Sequence, residues 1–207
     1  MSHEEAAPHA PWIAEWTAPG HLSFEDDQFE GVVLRDGRLE DVFFYDCTFR
    51  GCSLQQTHFT SCRFLDCTFE ECDLAAIRVP DSTFRGGSMK DCKVLGVDFT
   101  ECADFGLDGF NACQLDHCSF IGQIIPKLRI VDCSARSLHC EDARLPEADL
   151  RGTDFQDARF SRADLRKADL RRARNYVIDP RVTRMDGVRC SLPEAVGLLR
   201  GLDLRLE

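Results

Sequence analysis

Cysteines are the residues of this chain with the greatest potential for chemistry, and many of them recur at an interval of five. The segment SCRFLDCTFEECDLAA contains Cys62, Cys67 and Cys72. Thiols at a regular spacing can ligate a metal, pair as disulfides or fill a core. The choice among these roles depends on the elements that position the thiols.

The apolar residues follow the same period of five. Steps of five from Phe24 reach Phe99, and after a shift of one residue to Phe105 they continue to Leu170, so that thirty consecutive pentads have an apolar centre. Of the fifteen phenylalanines, only Phe43 lies off this position. A second, mostly small set, rich in Cys, Ala and Val, lies two residues before each centre. This period fits neither a helix nor an alternating strand, so the chain must turn regularly and direct one large and one small residue inward per pentad.

The segment ADLRGTDFQDARFSRADLRKADLRRA, from Ala148 to Ala173, resembles the A(D/N)LXX consensus of the pentapeptide-repeat family, and the resemblance covers about residues 22–190. It implies an all-β fold, a right-handed quadrilateral parallel β-helix with four pentads per coil, followed by a short C-terminal helix. Thirty pentads make about seven to eight coils, a rod of roughly 36 Å at ~4.8 Å per coil. We expect a leader or cap over 1–20, two repeat blocks over 21–104 and 105–190, and a helix and strand over 191–207.

In such a β-helix, ten of the twelve cysteines occupy the inward small position as buried filler. Five are expected to form one column if the extra residue near Asp104 is absorbed as a bulge: Cys52, Cys72, Cys92, Cys113 and Cys133. Stacked Cβ atoms ~4.8 Å apart lie outside the usual disulfide range of about 3.5–4.5 Å. Successive thiols also point to different sides of the square, so the sequence predicts neither disulfides nor a metal site.

The sequence has no recognisable catalytic constellation. It lacks a glycine-rich phosphate loop and a nucleophile elbow, and its histidines have no ligand spacing. Paired carboxylates need a cleft, which a filled rod does not offer. We therefore predict a protein that is not an enzyme, with no catalytic residue and no cofactor.

The whole-chain charge of −11 and the pI near 5.0 over 207 residues point away from a direct nucleic-acid binder. No apolar run approaches the roughly 18 residues of a membrane helix, and the leader MSHEEAAPHAPWIAEW lacks a signal-peptide pattern. We expect a cytoplasmic protein without membrane contact.

Negative charge is concentrated in the first half. Residues 21–110 carry 18 acidic and 8 basic side chains, whereas residues 111–207 carry 15 and 17. In the first sixteen pentads, the position two after the centre holds nine acids and no base. From this set we predict an acidic edge that binds a partner: Asp26, Asp41, Asp46, Asp66, Glu71, Asp81, Asp91 and Glu101.

Asp26, Asp46 and Asp66 are twenty residues apart and should stack on one edge. Each adjacent pair would repel by about 1 kcal/mol in water, with no structural benefit to offset it. One interpretation is a solvated face that keeps the rod soluble. The other is mimicry of DNA, because a rigid acidic rod about as wide as a duplex fits a basic groove.

The resemblance bears on this choice. Qnr-type quinolone-protection proteins and the self-immunity proteins of peptide-antibiotic producers belong to this family and act on DNA gyrase and topoisomerase IV as DNA mimics. The NYVIDP and SLPEAVGLL segments are similar to Qnr-type sequences. The resemblance thus implies a topoisomerase-binding protein that confers quinolone resistance or toxin immunity. Outward loops are absent here and the C-terminal coils are basic, so an interaction scaffold for another partner is the alternative.

The two ends require caps. Trp12 and Trp16 could cover the first coil, with membrane anchoring as the alternative. The register can continue irregularly to Cys190, after which Ser191 and Glu194 suggest a capping box for a short helix. The leucines that follow either plug the last coil or meet a second chain, and the Qnr resemblance favours a homodimer through Leu192, Val196, Leu199, Leu202, Leu204 and Leu206.

Overall fold

A computed structural model describes residues 22–202 and shows a solenoid of square coils, so the predicted all-β parallel β-helix with one short helix is confirmed. Trp12 and Trp16 lie outside the described residues. The strands are β1 (Leu22–Glu25), β2 (Gln28–Glu30), β3 (Arg38–Glu40), β4 (Val42–Tyr45), β5 (Thr48–Arg50), β6 (His58–Thr60), β7 (Arg63–Leu65), β8 (Thr68–Glu70), β9 (Thr83–Arg85), β10 (Ser88–Lys90), β11 (Asp104–Gly106), β12 (Gly109–Asn111) and β13 (Arg129–Val131). Within residues 22–202 one α-helix, α1, spans Val196–Gly201.

The strands form the faces of the square. The first face contains β1, β4, β7, β9 and β11, the second contains β2, β5, β8, β10, β12 and β13, and the fourth contains β3 and β6. Isolated bridges such as Val33 to Ser53 form the third face. We name the corners first to fourth, each following the face of the same number. All pairing is parallel, as expected when one coil stacks on the next.

The second face shows how far the stacking extends. From β13 it continues through bridges to Asp149, Asp169 and Arg189. This column contains nine levels: Gln28, Thr48, Thr68, Ser88, Gly109, Arg129, Asp149, Asp169 and Arg189. The predicted continuation of the register to the end of the repeats is therefore confirmed.

The central residue of each pentad points inward and is buried, except Phe24 in the first coil, which is half-buried. In the first coils these residues are mostly phenylalanines that stack level upon level, with ring centroids 5.0 Å apart for Phe44 and Phe64 and 4.6 Å apart for Phe64 and Phe84. In the last coils the centres are mostly leucines, such as Leu165 and Leu170, and alanines such as Ala168 occupy the small position. The core is a continuous column of buried side chains along the described coils.

The one-residue interruption lies in a 3₁₀ turn, Phe99–Glu101, slightly before the bulge expected near Asp104. Pairing is offset by 20 residues before it, as in His58 with Arg78, and by 21 across it, as in Asp98 with Ser119. Phe99 remains fully buried. The extra residue is thus absorbed at the surface, and the core position that precedes it is kept.

The coils contain two kinds of turn. In a closed turn, the N–H of the small residue donates to the carbonyl of the centre three residues earlier, as from Ala168 to Leu165 at 3.0 Å. In an open turn these two groups do not meet. The small residue of the next coil instead bridges them, because its hydroxyl or thiol accepts from the N–H and donates to the carbonyl.

Ser82 shows this bridge, since its Oγ accepts from the Cys62 N–H at 3.0 Å and donates to the Phe59 carbonyl at 2.8 Å. Cys92 occupies the same position, with its Sγ 3.4 Å from the nitrogen of Cys72 and 3.4 Å from the carbonyl oxygen of Phe69. The predicted cysteine column is confirmed, because Cys113 and Cys133 repeat these contacts. These thiols are hydrogen-bonding groups as well as filler.

The helix α1 follows the last coil, and the capping box predicted for its start is wrong. Ala195 is the N-cap and makes no side-chain cap bond, whereas the Ser191 Oγ accepts from the Arg172 N–H at 2.7 Å. Leu198, not Leu199, packs against the core. A Cβ on Gly197 would lie 2.1 Å from the Tyr176 carbonyl oxygen, so only glycine allows the helix to approach this closely.

Candidate partner-binding surface

The residues at the corners have left-handed backbone conformations. The φ angles of Asp26, Asp46 and Asp66 are 57°, 52° and 55°. Aspartate, asparagine and glycine adopt this region more readily than other residues. The aspartates therefore have a structural benefit that the sequence did not reveal.

The backbone does not, however, require a negative charge there. Lys127 and Lys167 lie further along the same first corner, with φ angles of 64° and 60°. Either sign of charge is therefore compatible with this conformation. The concentration of acids in the early coils is a property of the sequence, and the backbone explains only part of it.

Asp26, Asp46 and Asp66 stack on the first corner as predicted. Their N–H groups donate to the carbonyls of Tyr45, Leu65 and Arg85, each in the following coil, at 3.0, 2.9 and 2.8 Å. All three side chains are exposed. The carboxylate of Asp66 covers Gly86 in the next coil, where a Cβ would lie 2.0 Å from its Oδ1. The acidic column therefore spans three levels and ends at a glycine.

The other predicted acids do not join this column. Asp41 and Asp81 lie on the fourth corner, and Glu71 and Asp91 on the second. Glu101 follows Asp81 on the fourth corner, but its carboxylate accepts from the Arg78 Nε at 3.0 Å and from the Val79 N–H at 3.3 Å. The eight residues thus occupy three corners and form no single edge, because consecutive pentads turn by one side of the square.

Basic side chains partly offset the acids on neighbouring faces. The Arg50 guanidinium donates to Glu70 at 2.8 Å and lies 3.8 Å from Glu30 on the second face. No ion pair connects Asp26, Asp46 or Asp66 to a base within residues 22–202. The first corner is therefore the acidic column with the least local compensation.

The thiols have the properties of structural cysteines. All twelve are free, and ten are buried. Burial raises the pKa of Cys62 to about 11 and that of Cys118 to about 12, which disfavours the nucleophilic thiolate. Among the described residues no group of three or more His, Cys, Asp or Glu side chains is placed to hold a metal ion. No helix in this part of the chain is long and apolar enough to cross a membrane.

The tail presents apolar side chains at the end of the rod. Leu192 is 83% exposed and Leu199 is 38% exposed, whereas Val196 and Leu202 are half-buried. Leu204 and Leu206 lie outside the described residues. Leu192 precedes α1 and lies outside the helix.

The fold and these repeats define the class of protein. One family model, described as a pentapeptide repeat region, matches residues 22–99. A second, described as pentapeptide repeats in eight copies, matches residues 139–174. The two matches together cover more than half of the chain. The chain belongs to the pentapeptide-repeat family. No curated protein sequence matches it significantly.

Solved structures show the same fold. One trypsin-treated variant of QnrB1, a plasmid-mediated fluoroquinolone resistance protein, aligns with a TM-score of 0.69 and 17% identity over 91% of this chain and 100% of that chain. A second trypsin-treated variant gives 0.66 and 18% over 89% and 99%. Full-length QnrB1 gives 0.55 and 20% over 88% and 100%. At these identities the likeness concerns the fold.

Proposed function

We propose that this protein binds bacterial type II topoisomerase, DNA gyrase or topoisomerase IV, as a DNA mimic, and that it thereby protects the enzyme from quinolones or from a gyrase-targeting toxin. The acidic column of Asp26, Asp46 and Asp66 is the observation that carries the proposal. Three exposed carboxylates repeat at ~4.8 Å along a rigid corner. A fixed row of negative charge suits a basic groove that normally holds phosphates.

The fold supports the proposal but does not identify the partner. QnrB1 shares this architecture and is a fluoroquinolone resistance protein. Because the interior of the solenoid is filled by its own side chains, a partner would bind to its outer surface. An interaction scaffold for another protein is the second candidate, because the same surface chemistry would serve any basic partner.

The test is gyrase-catalysed supercoiling and quinolone-induced DNA cleavage, measured while the protein is titrated in. We expect cleavage to fall at protein concentrations that leave supercoiling intact. The variant Asp26→Lys, Asp46→Lys, Asp66→Lys should raise the half-effective concentration more than about tenfold, because close charge pairs across an interface are worth over 1.4 kcal/mol together. The substitutions are compatible with the fold, since Lys127 and Lys167 have the same backbone conformation.

A matched control is Asp36→Lys, Asp132→Lys, Asp157→Lys. These exposed aspartates have φ angles of 53°, 53° and 59° but lie on the second and third corners. The net charge changes equally in both variants. Equal loss of protection in both would mean that only total charge matters, and unchanged protection in the first would remove the acidic column from the mechanism.

We also propose that two chains associate through the C-terminal tail. The exposed Leu192 and Leu199 support this, since apolar side chains at the end of a solenoid need either a cap or a partner. A dimer of this kind would place the two acidic columns at its outer ends.

A further inference from the structure

The last coils carry a ring of positive charge that the whole-chain charge conceals. Between residues 159 and 189 there are ten basic and four acidic side chains. The basic residues, which we call the arginine belt, are Arg159, Arg162, Arg166, Lys167, Arg171, Arg172, Arg174, Arg181, Arg184 and Arg189. They lie on all four sides of the rod. Nine of the ten are arginines, the side chain best suited to bind phosphate in a bidentate manner.

Burial makes the belt more positive than this count suggests. Of its four acids, Asp164 and Asp169 are buried and only Asp186 is exposed. The Asp169 side chain is 5% exposed beneath Arg171, which is 48% exposed and donates to it at 2.7 Å, and Arg189 lies 2.9 Å from the same carboxylate. The carboxylates thus hold guanidinium groups in place from below, and the outermost charge is positive.

Three cations of the belt have no carboxylate within 4.0 Å among the described residues. Lys167 lies on the first corner, Arg172 on the second and Arg174 on the third face. All three are exposed. Elsewhere in the belt, Arg162 forms an ion pair with Asp142, and Arg159 lies 3.9 Å from Glu141. Both of these acids belong to the preceding coil. Lys167, Arg172 and Arg174 are therefore the cations most available to an external anion.

We infer that the arginine belt binds the phosphate backbone of duplex DNA without regard to sequence. Between residues 159 and 174, which include Lys167, Arg172 and Arg174, no large apolar side chain is exposed, whereas Val177 and Val182 are each 50% exposed further along the chain. A protein partner normally requires such an anchor, whereas a uniformly charged backbone does not. A regular array of guanidinium groups on a rigid rod matches a partner of regular negative charge.

The acidic coils do not prevent this binding. Five levels separate Asp66 from Lys167 on the first corner, about 24 Å at the spacing of stacked strands. The Debye length at physiological ionic strength is about 8 Å, so the two regions act on different partners largely independently. The two ends of one rod can therefore contact a basic protein and DNA at the same time.

The experiment is fluorescence anisotropy of a labelled 25-base-pair duplex with the full chain and no topoisomerase, so its outcome is independent of the proposed function. We expect affinity to fall roughly fortyfold between 50 and 200 mM salt, as for three phosphate contacts. The variant Lys167→Glu, Arg172→Glu, Arg174→Glu should lose at least about tenfold in affinity at 50 mM salt and show a flatter salt dependence. Glu147 and Glu71 already occupy equivalent corner positions, so the fold tolerates glutamate there.

The control variant is Arg35→Glu, Arg38→Glu, Lys127→Glu, which changes the charge equally outside the belt. It should retain most of the affinity. Absence of binding at 50 mM salt, or equal loss in both variants, would overturn the inference. Displacement of the duplex by an acidic peptide of equal charge at the same concentration would also overturn it, since the belt would then bind acidic protein as well as DNA.

Discussion

At the scale of single residues, the inward small position has a chemical role besides filling space. In each open turn the N–H of the small residue has no backbone partner among the described residues, and the carbonyl of the centre is within reach of the next coil. Cys, Ser or Thr in the next coil satisfies both, as Thr153 does for the Ile130 carbonyl at 2.8 Å and the Cys133 N–H at 3.2 Å. Several alanines, among them Ala148 and Ala168, lie above closed turns, in which the N–H is already bonded. Thr183 also lies above a closed turn, where its hydroxyl donates to the Phe160 carbonyl at 2.9 Å. A side chain that must also accept from an N–H is therefore needed only above an open turn.

This difference between open and closed turns predicts opposite preferences at two buried sites. Cys92→Ala should destabilise the protein by about 1–3 kcal/mol, because the Cys72 N–H loses its acceptor and the Phe69 carbonyl loses one donor. Cys92→Ser should cost less than about 1 kcal/mol, since Ser82 already makes the same bridge. If the cysteines were only apolar filler, the order would be reversed. Urea unfolding of the two variants distinguishes these outcomes.

Ala148 provides the comparison. It lies one coil above the closed turn in which the Leu128 N–H donates to the Ile125 carbonyl at 3.4 Å, and it is 1% exposed. Ala148→Ser should therefore destabilise the fold by about 1 kcal/mol, because its hydroxyl can donate to the Ile125 carbonyl, as Thr183 does to that of Phe160, but its buried oxygen has no N–H to accept from. A neutral or stabilising effect at Ala148 would show that the closed turn does not determine the choice of residue.

At the scale of elements, the sequence predicted the repeat but not the features that depend on backbone dihedrals and on contacts between coils. The period of five identified the inward residues from Phe24 to Leu170, because only a regularly turning chain buries one large residue per pentad. It did not reveal the left-handed corners, which depend on backbone dihedrals, or the bridging by Ser82 and Thr153. The capping-box prediction was wrong because the Ser191 hydroxyl accepts a hydrogen bond from the backbone N–H of Arg172 in the preceding coil. The acidic edge was only partly correct, because consecutive acids alternate among corners.

The Glu101 side chain connects the register shift to the previous coil. Glu101 ends the 3₁₀ turn, and its carboxylate accepts from the Arg78 guanidinium and the Val79 N–H of the previous coil. Glu101→Ala should destabilise the protein by about 1–2 kcal/mol, which corresponds to a fall in Tm of roughly 2–6 °C for a domain of this size. Glu147→Ala, an exposed corner acid with no ion pair in the described chain, should change Tm by less than about 2 °C. Equal shifts in a thermal scan would show that Glu101 has no special part in the shift.

At the scale of the whole molecule, charge is polarised along the rod. The acidic column lies in the first coils, the arginine belt surrounds the last ones, and the register shift lies between them. In a dimer joined by the tails, the two belts would approach one another and the acidic columns would be outermost. The apolar contact must then outweigh the repulsion between the belts, so association should strengthen as salt screens that repulsion.

The dimer proposal can be tested through this contact. Leu192→Asp with Leu199→Asp should convert a dimer into a monomer, because association would bury two carboxylates without partners. Ile121→Asp with Ile124→Asp is the matched control, since these side chains are 44% and 61% exposed far from the tail. Light scattering after size exclusion, at 50 and 300 mM salt, gives the mass of each variant. A monomeric wild-type chain, or dissociation caused by the isoleucine variant and not by the leucine variant, would place any interface outside the tail.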